Sequence, residues 1–398
     1  MEELKEGWRK VKLGEILNFY NGKKKIDTNY DGKYNIYGAS GIIGKSTEYL
    51  FEGESIILGR VGAYCGITFY EKDKIWSTDN TIVAKTKTKA NNLKYFYYLL
   101  KYLNLNKRAS GSAQPLINQK LLSNIEVEIP ALFTQKKIVS ILSLLDEKIE
   151  LNRKINQNLE ETAQTLFKRW FIDFEFPNEE GKPYKSSGGK MIESELGEIP
   201  EGWRIGRLGE LIKIQNGYAF KSKDFLNKGN IGIIKIKNIS NKIIDILNTD
   251  FISNDICKEV EDKYLVKNGD ILIAMTGAEI GKIGIVPQSN KQLYLNQRVG
   301  KIVEAMNGGK EYSYFHLNQK KYQELIFLKS SGSAQPNISA SEIENIEIIF
   351  PSLDLLNKFK DLTTENFLKI VYNLGEINCL LKVRDYLLPR LLSGEISV

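Results

Sequence analysis

Hydrophobic and polar residues fall into the same order twice along this chain: short β-like runs first, then a long helical stripe. In the first half, SIILGRVGAYCGITFY (55–70) and NTIVAKT (80–86) are rich in β-branched and aromatic residues and broken by glycine, which predicts strands and tight turns. LKYFYYLLKYL (93–103) changes to helical spacing, with Leu93, Phe96, Leu100 and Leu103 on one side. A strand with Ile125, Val127 and Ile129 alternating then runs to Pro130, and Ile346, Ile348 and Phe350 repeat that alternation before Pro351.

After each proline the period becomes that of a coiled coil. Ile138, Leu142, Leu145, Ile149, Asn152, Asn156, Leu159, Ala163, Leu166 and Trp170 are spaced alternately by four and three. This predicts a heptad seam roughly 55 Å long. Leu355, Phe359, Leu362, Asn366, Ile370, Asn373, Ile377, Leu380, Arg384, Leu387 and Leu391 hold a similar rhythm, with a slip before Ile370. Asparagine at a seam position is unfavourable unless paired, and pairing fixes register. Asn152 and Asn156 would meet Asn366 and Asn373 if the helices run antiparallel; otherwise these amides face solvent.

The repetition is also literal. EGWRKVKLGEI (6–16) recurs as EGWRIGRLGEL (201–211), VGAYCG (61–66) as TGAEIG (276–281), and GSAQPLINQKLLSNIEVEIP (111–130) as GSAQPNISASEIENIEIIFP (332–351). The offset grows from 195 to 215 to 221, so the second copy holds about twenty extra residues before its glycine loop. Identity concentrates at turns, as expected of one scaffold carrying different contents. Between the copies, 178–200 (NEEGKPYKSSGGKMIESELGEIP) is polar and rich in Gly, Ser and Pro, and reads as an exposed linker. The resulting divisions are 1–130, 131–177, 178–200, 201–351 and 352–398.

Composition narrows the function classes. The chain has 398 residues, 42% hydrophobic and 26% charged, as in a soluble multidomain protein. No stretch approaches the ~20 uncharged apolar residues of a membrane span, and the first residues hold no secretory apolar core, so the expected compartment is the cytoplasm. Cys65, Cys257 and Cys379 are isolated and support neither a disulfide framework nor a zinc site. The net charge is +7. Residues 1–130 hold 20 Lys/Arg against 14 Asp/Glu and 201–351 hold 20 against 17, while the helical runs are balanced. Basic domains on neutral connectors suit a polyanion.

Catalytic signatures are absent. Ala39–Ser46 satisfies a relaxed phosphate-loop pattern, but too few residues separate Lys45 from Gly53 for the helix that motif requires, and the second copy has no counterpart. Lys45 is then a basic loop residue. The one histidine, His316, lies in a helix-like stretch where packing is its expected role.

Candidate contacts therefore fall on the duplicated loops. GRVGAYCG (59–66) leaves Arg60 and Tyr64 as its large side chains, and arginine forks onto guanine or clamps phosphate. Its counterpart presents Thr276 and Glu279, followed by Lys282; glutamate accepts from cytosine. The alternative is a tight turn without contacts. Around GSAQP, Ser110, Ser112 and Gln114 follow Arg108, and Ser331, Ser333 and Gln335 follow Lys329. These hydroxyls and amides bind phosphate or adenine edges, or else cap the next helix. Lys45 and Arg298 complete the candidate DNA-binding set.

The chain resembles the specificity subunit of type I restriction–modification systems. The resemblance rests on YGASGIIG (37–44) before GRVGAYCG, the twin GSAQP loops, QKKIVSILSLLDEKIELNRKINQNLEETAQTLFKRWF (135–171), IDFEFPN (172–178), GKPYKSSGGKMIESELGEIPEGW (181–203) and LLPRLLSGEI (387–396). It implies an α+β fold with two similar target-recognition domains separated by two long antiparallel coiled-coil helices in pseudo-twofold symmetry. It also implies a non-catalytic DNA-recognition subunit for bacterial defence, each domain reading one half of a bipartite asymmetric site in double-stranded DNA. Two methyltransferase subunits would dock on the helices and restriction subunits would complete the nuclease. No cofactor is expected in this chain; S-adenosylmethionine belongs to the methyltransferase partner. The rivals are an enzyme with an unrecognised site and a coiled-coil adaptor. The aromatic cluster Phe167, Trp170, Phe171, Phe174 and Phe176 packs either on a recognition domain or on a partner, with Pro177 expected to end the helix.

Overall fold

A computed structural model describes residues 5–28, 31–108, 115–330 and 336–398. The chain divides into two compact units, one of residues 1–147 with 380–398 and one of residues 148–379.

In the first unit, alternation of Val11 with Lys10 and Lys12 pairs strand Trp8–Lys12 antiparallel with Glu126–Pro130, putting Val127 and Ile129 inward and Glu126 and Glu128 outward. A four-stranded antiparallel sheet follows in the order Leu17–Asn21, Thr81–Thr86, Ser55–Gly59, Thr68–Glu71. A smaller sheet holds Gly41–Ser46, Tyr34–Gly38 and Ile75–Ser77, the last two parallel. Every residue of Ser55–Gly59 is buried, which explains its unbroken apolar run. Helix Leu93–Tyr102 starts where Asn92 Oδ1 accepts the Tyr95 N–H at 3.1 Å, and its apolar side closes the core with Ile138, Leu142, Leu391 and Leu392. Gln135 is fully buried and holds helix to domain: its amide donates to the Pro130 carbonyl at 3.0 Å, and its Oε1 accepts from Asn92 N–H at 2.9 Å.

The second unit repeats this framework. Arg204–Arg207 pairs with Glu347–Phe350, and Ile212–Asn216, Val299–Glu304, Ile271–Ala274 and Ile283–Ile285 reproduce the order of the four-stranded sheet. Ile231–Ile234 pairs parallel with Gln292–Leu295, as Tyr34–Gly38 does with Ile75–Ser77. The extra residues lie between Ile234 and Ile271. There the first unit has a hairpin strand, and the second has strands Ile239–Ser240, Ile243–Ile244, Asp250–Ile252 and Leu265–Val266 with helix Asn254–Lys258.

The long helices span Leu132–Phe167 and Leu353–Leu392, 36 and 40 residues. Within the second unit, Asn152 donates to Glu376 at 2.7 Å and Asn373 donates to Asn156 at 2.8 Å, so the paired segments run antiparallel. Leu142, Ile149, Asn152, Ile370, Asn373 and Ile377 are buried, whereas Leu145, Asn156, Leu159, Asn366 and Leu380 are half-buried. Asn152 meets a glutamate rather than an asparagine, and among the described residues Asn366 has no side-chain hydrogen bond across the helices. The slip in the second seam explains this: Thr363 is buried, while Leu362, expected inward, is 56% exposed. Gly375 lies inside the second helix because a Cβ there would stand 2.6 Å from the Gln288 carbonyl.

The first helix ends before Pro177. A wide turn over Lys168–Ile172 follows Phe167, and Phe174 takes φ +59. Phe167, Trp170, Phe171 and Phe174 are buried within the second unit against Tyr312, Phe315, Phe359 and Trp203. The stretch 178–200 is largely exposed but not free. Phe176 stacks on Tyr184 at 4.6 Å and on Trp203 at 5.2 Å, Asn178 Oδ1 accepts from Glu180 and Lys182 N–H groups, and Met191–Ile192 pairs with Ile199–Pro200. No helix among the described residues is long and apolar enough to cross a membrane.

Candidate nucleic-acid interface

In each unit the glycine loop and the segment after GSAQP are stitched together by the same main-chain bonds. The loop after strand Ser55–Gly59 closes on itself through Gly59 N–H to Ile67 O and Gly66 N–H to Gly59 O, both 2.8 Å. Gly62 and Gly66 have φ of +68 and +85, which L side chains resist, and a Cβ on Gly66 would stand 2.7 Å from the Asn106 nitrogen. Gly62 N–H donates to Pro115 O at 3.1 Å and Ile117 N–H to Arg60 O at 3.0 Å.

The second unit copies every one of these. Ala274 N–H donates to Lys282 O at 2.9 Å, Gly281 N–H to Ala274 O at 2.8 Å, Gly277 N–H to Pro336 O at 2.9 Å, and Ile338 N–H to Met275 O at 3.0 Å. Gly277 and Gly281 have φ of +77 and +81. Peptide groups hold the junction, so most of its side chains are left to vary.

The predicted residues take different places on it. Tyr64 is 51% exposed. Arg60 is half-buried, and its Nε is buried without an acceptor. Lys45, Arg108, Arg298 and Lys329 are exposed. Lys45 sits on strand Gly41–Ser46 opposite Asn35, and no helix follows it, so nothing there forms a phosphate loop. Arg108 ends the turn Leu105–Arg108, and Lys329 ends helix Lys320–Lys329. Ser110, Ser112, Gln114, Ser331, Ser333 and Gln335 lie outside the described residues.

One expectation needs correction. Thr276 is 1% exposed and its hydroxyl donates to Pro336 O at 2.9 Å, so it braces the loop rather than presenting itself. Glu279 and Lys282 form an ion pair with each other, so in the free chain neither offers an unpaired charge. Downstream of the second GSAQP loop, Ser339 accepts from Glu342 N–H and the Glu342 carboxylate accepts from Ser339 N–H, a capping box at the start of helix Ala340–Glu344. Pattern reading missed the turns Thr78–Asn80 and Asn296–Arg298, which flank the glycine loops. Their sequences, TDN and NQR, share no signal that alignment could register.

Burial raises the Cys65 thiol, whose Sγ donates to Arg60 O at 3.3 Å, the reverse of an activated thiolate. His316 is buried in the second unit's core against Tyr312 and Tyr322. Among the described residues no group of His, Cys, Asp and Glu could hold a metal ion.

Comparison with known proteins gives a consistent result. The family described as the type I restriction modification DNA specificity domain matches twice, at residues 5–161 and 200–359. The MjaIX specificity subunit of a type I restriction enzyme from Methanocaldococcus jannaschii is 28% identical, covering 98% of this chain and 93% of that protein. The MjaVIII specificity subunit from the same organism is 28% identical over 99% and 94% of the two chains. The crystal structure of a type I restriction–modification S subunit from M. genitalium superposes with TM-score 0.61 at 18% identity, over 98% of this chain and 97% of the other.

Proposed function

Since the chain belongs to the family of type I restriction modification DNA specificity domains, we propose that it is the DNA-reading subunit of a type I restriction–modification complex. Each recognition domain takes one half of a bipartite, asymmetric duplex site. The observation that carries this is the duplicated junction: the same main-chain bonds in both units, with different exposed side chains on it. One geometry then presents two chemistries to the grooves, and phosphate contacts from the basic domains supply the affinity.

Chemistry belongs to partners in this reading. Two methyltransferase subunits, which bind S-adenosylmethionine, methylate adenine, and restriction subunits cleave. The helices supply the docking surface; Leu144, Leu151, Leu368, Tyr372 and Tyr386 are large apolar side chains more than half exposed on them. The number of helical residues sets the unread spacer, and lengthening both helices equally changes the preferred spacing.

Mapping methylated adenines in DNA from a host carrying the complete system tests the reading. Two unlike half-sites at a fixed separation are expected. A continuous site, a palindrome, or methyl transfer by the purified chain alone overturns it.

A further inference from the structure

Arg60 and Asn80 are twenty positions apart in sequence and adjacent in space, because Arg60 N–H donates to the Asn80 carbonyl at 2.9 Å. In the second unit the same bond runs from Met275 N–H to the Arg298 carbonyl at 3.1 Å. The correspondence is fixed by the main chain. Arg60 and Met275 each follow a buried strand and accept from the isoleucine after GSAQP, Ile117 or Ile338.

What differs is which member of the pair carries the guanidinium. In the first unit arginine is on the strand exit and asparagine on the turn. In the second the strand exit is Met275, 4% exposed, and the turn carries Arg298, which is exposed. Each unit thus holds one arginine at this junction, on opposite members. Among the described residues neither arginine forms an ion pair, whereas Lys282 on the second unit's loop is paired with Glu279. Arg60 is half-buried, with its Nε enclosed and lacking an acceptor.

We propose that, at the matched junction positions 60/80 and 275/298, the member that carries the arginine reads guanine in each half-site. Arg60 serves the first unit and Arg298 the second, each forking onto O6 and N7 of one guanine. Moving the arginine from one member to the other lets one backbone read guanine at different places within the two half-sites. The inference rests on the DNA-reading role proposed above and deepens it.

Selection of a randomised duplex pool by the full-length chain, followed by sequencing, decides it. Arg298 is exposed, so Arg298→Ala keeps the fold and is the deciding variant. It should lose the preference for one G·C pair in one half-site by roughly ten-fold or more and leave the other half-site intact. Arg60→Ala should do the reverse, and Asn80→Ala should leave both motifs as they were. Uniform weakening across all sequences by Arg298→Ala would make it a phosphate contact and overturn the proposal, as would no change or an equal effect from Asn80→Ala. A pool in which the unaltered chain enriches no motif removes the DNA-reading role itself.

Discussion

Asn373 donates its side-chain amide to Asn156 Oδ1 at 2.8 Å, an asparagine pair joining the long helices inside the second unit. Asn373 is 1% exposed, and the Asn156 amide nitrogen is itself buried without an acceptor. The pair therefore sets register more than it adds stability. Asn373→Leu alone should cost about 1–3 kcal/mol by stranding the Asn156 oxygen. Asn156→Leu combined with Asn373→Leu should recover most of that loss, read as urea midpoints at constant m. A double-variant loss equal to the sum of the two single-variant losses would show that the amides are not coupled.

Asp146 in the first unit accepts from Tyr98 hydroxyl at 2.8 Å and from Arg384 at 3.0 Å. The Arg384 side chain is 16% exposed and also pairs with the exposed Asp385, so removing Asp146 leaves a largely desolvated cation with one partner fewer. Asp146→Ala should destabilise the chain by about 2 kcal/mol. Tyr98→Phe, which keeps the ion pair, should cost about half as much. Thermal melts of the two variants at one salt concentration compare them.

Stability should fall with pH through the histidine range. Burial, helped by Lys321, drives the His316 imidazole down from 6.5 to about 3. Between these values the unfolded chain binds a proton that the folded chain does not. The contribution is complete above the unfolded value and is lost progressively as pH drops toward the folded one, by up to about 1.4 kcal/mol per pH unit. His316→Phe, among Tyr312, Tyr322 and Phe167, should flatten the slope between about pH 5 and 6.5. An unaltered slope would assign it to other groups.

The Glu279–Lys282 pair makes a sign prediction for DNA binding. Glu279→Gln frees the ammonium, so affinity for any duplex should rise and the log–log salt slope should steepen by about one. If Glu279 reads cytosine instead, the same substitution costs affinity at one base pair only. Anisotropy titrations at several salt concentrations on matched and mismatched duplexes separate the two.

Much of the scaffold was legible because burial writes a period into the sequence. Ile125, Val127 and Ile129 alternate since one side of their strand faces the core, and the heptads carry Leu142 and Ile149 inward. Legibility failed where contacts depend on peptide groups or on local backbone. The slip that buries Thr363 in place of Leu362 is a rotation of the helix that a period count averages away. The wide turn after Phe167 and the left-handed Phe174 end the first helix ahead of Pro177, the breaker expected to end it. The pairing of residue 60 with 80, and of 275 with 298, is made by N–H and carbonyl groups common to all residues. Only the arginines themselves, Arg60 and Arg298, could be nominated from the sequence.

The same junction has an evolutionary consequence. A loop locked by its own peptide groups tolerates almost any residue at its exposed positions, so Tyr64 in one copy and Glu279 in the other leave the frame unchanged. A lineage can rewrite what this chain recognises one substitution at a time and never pass through an unfolded ancestor.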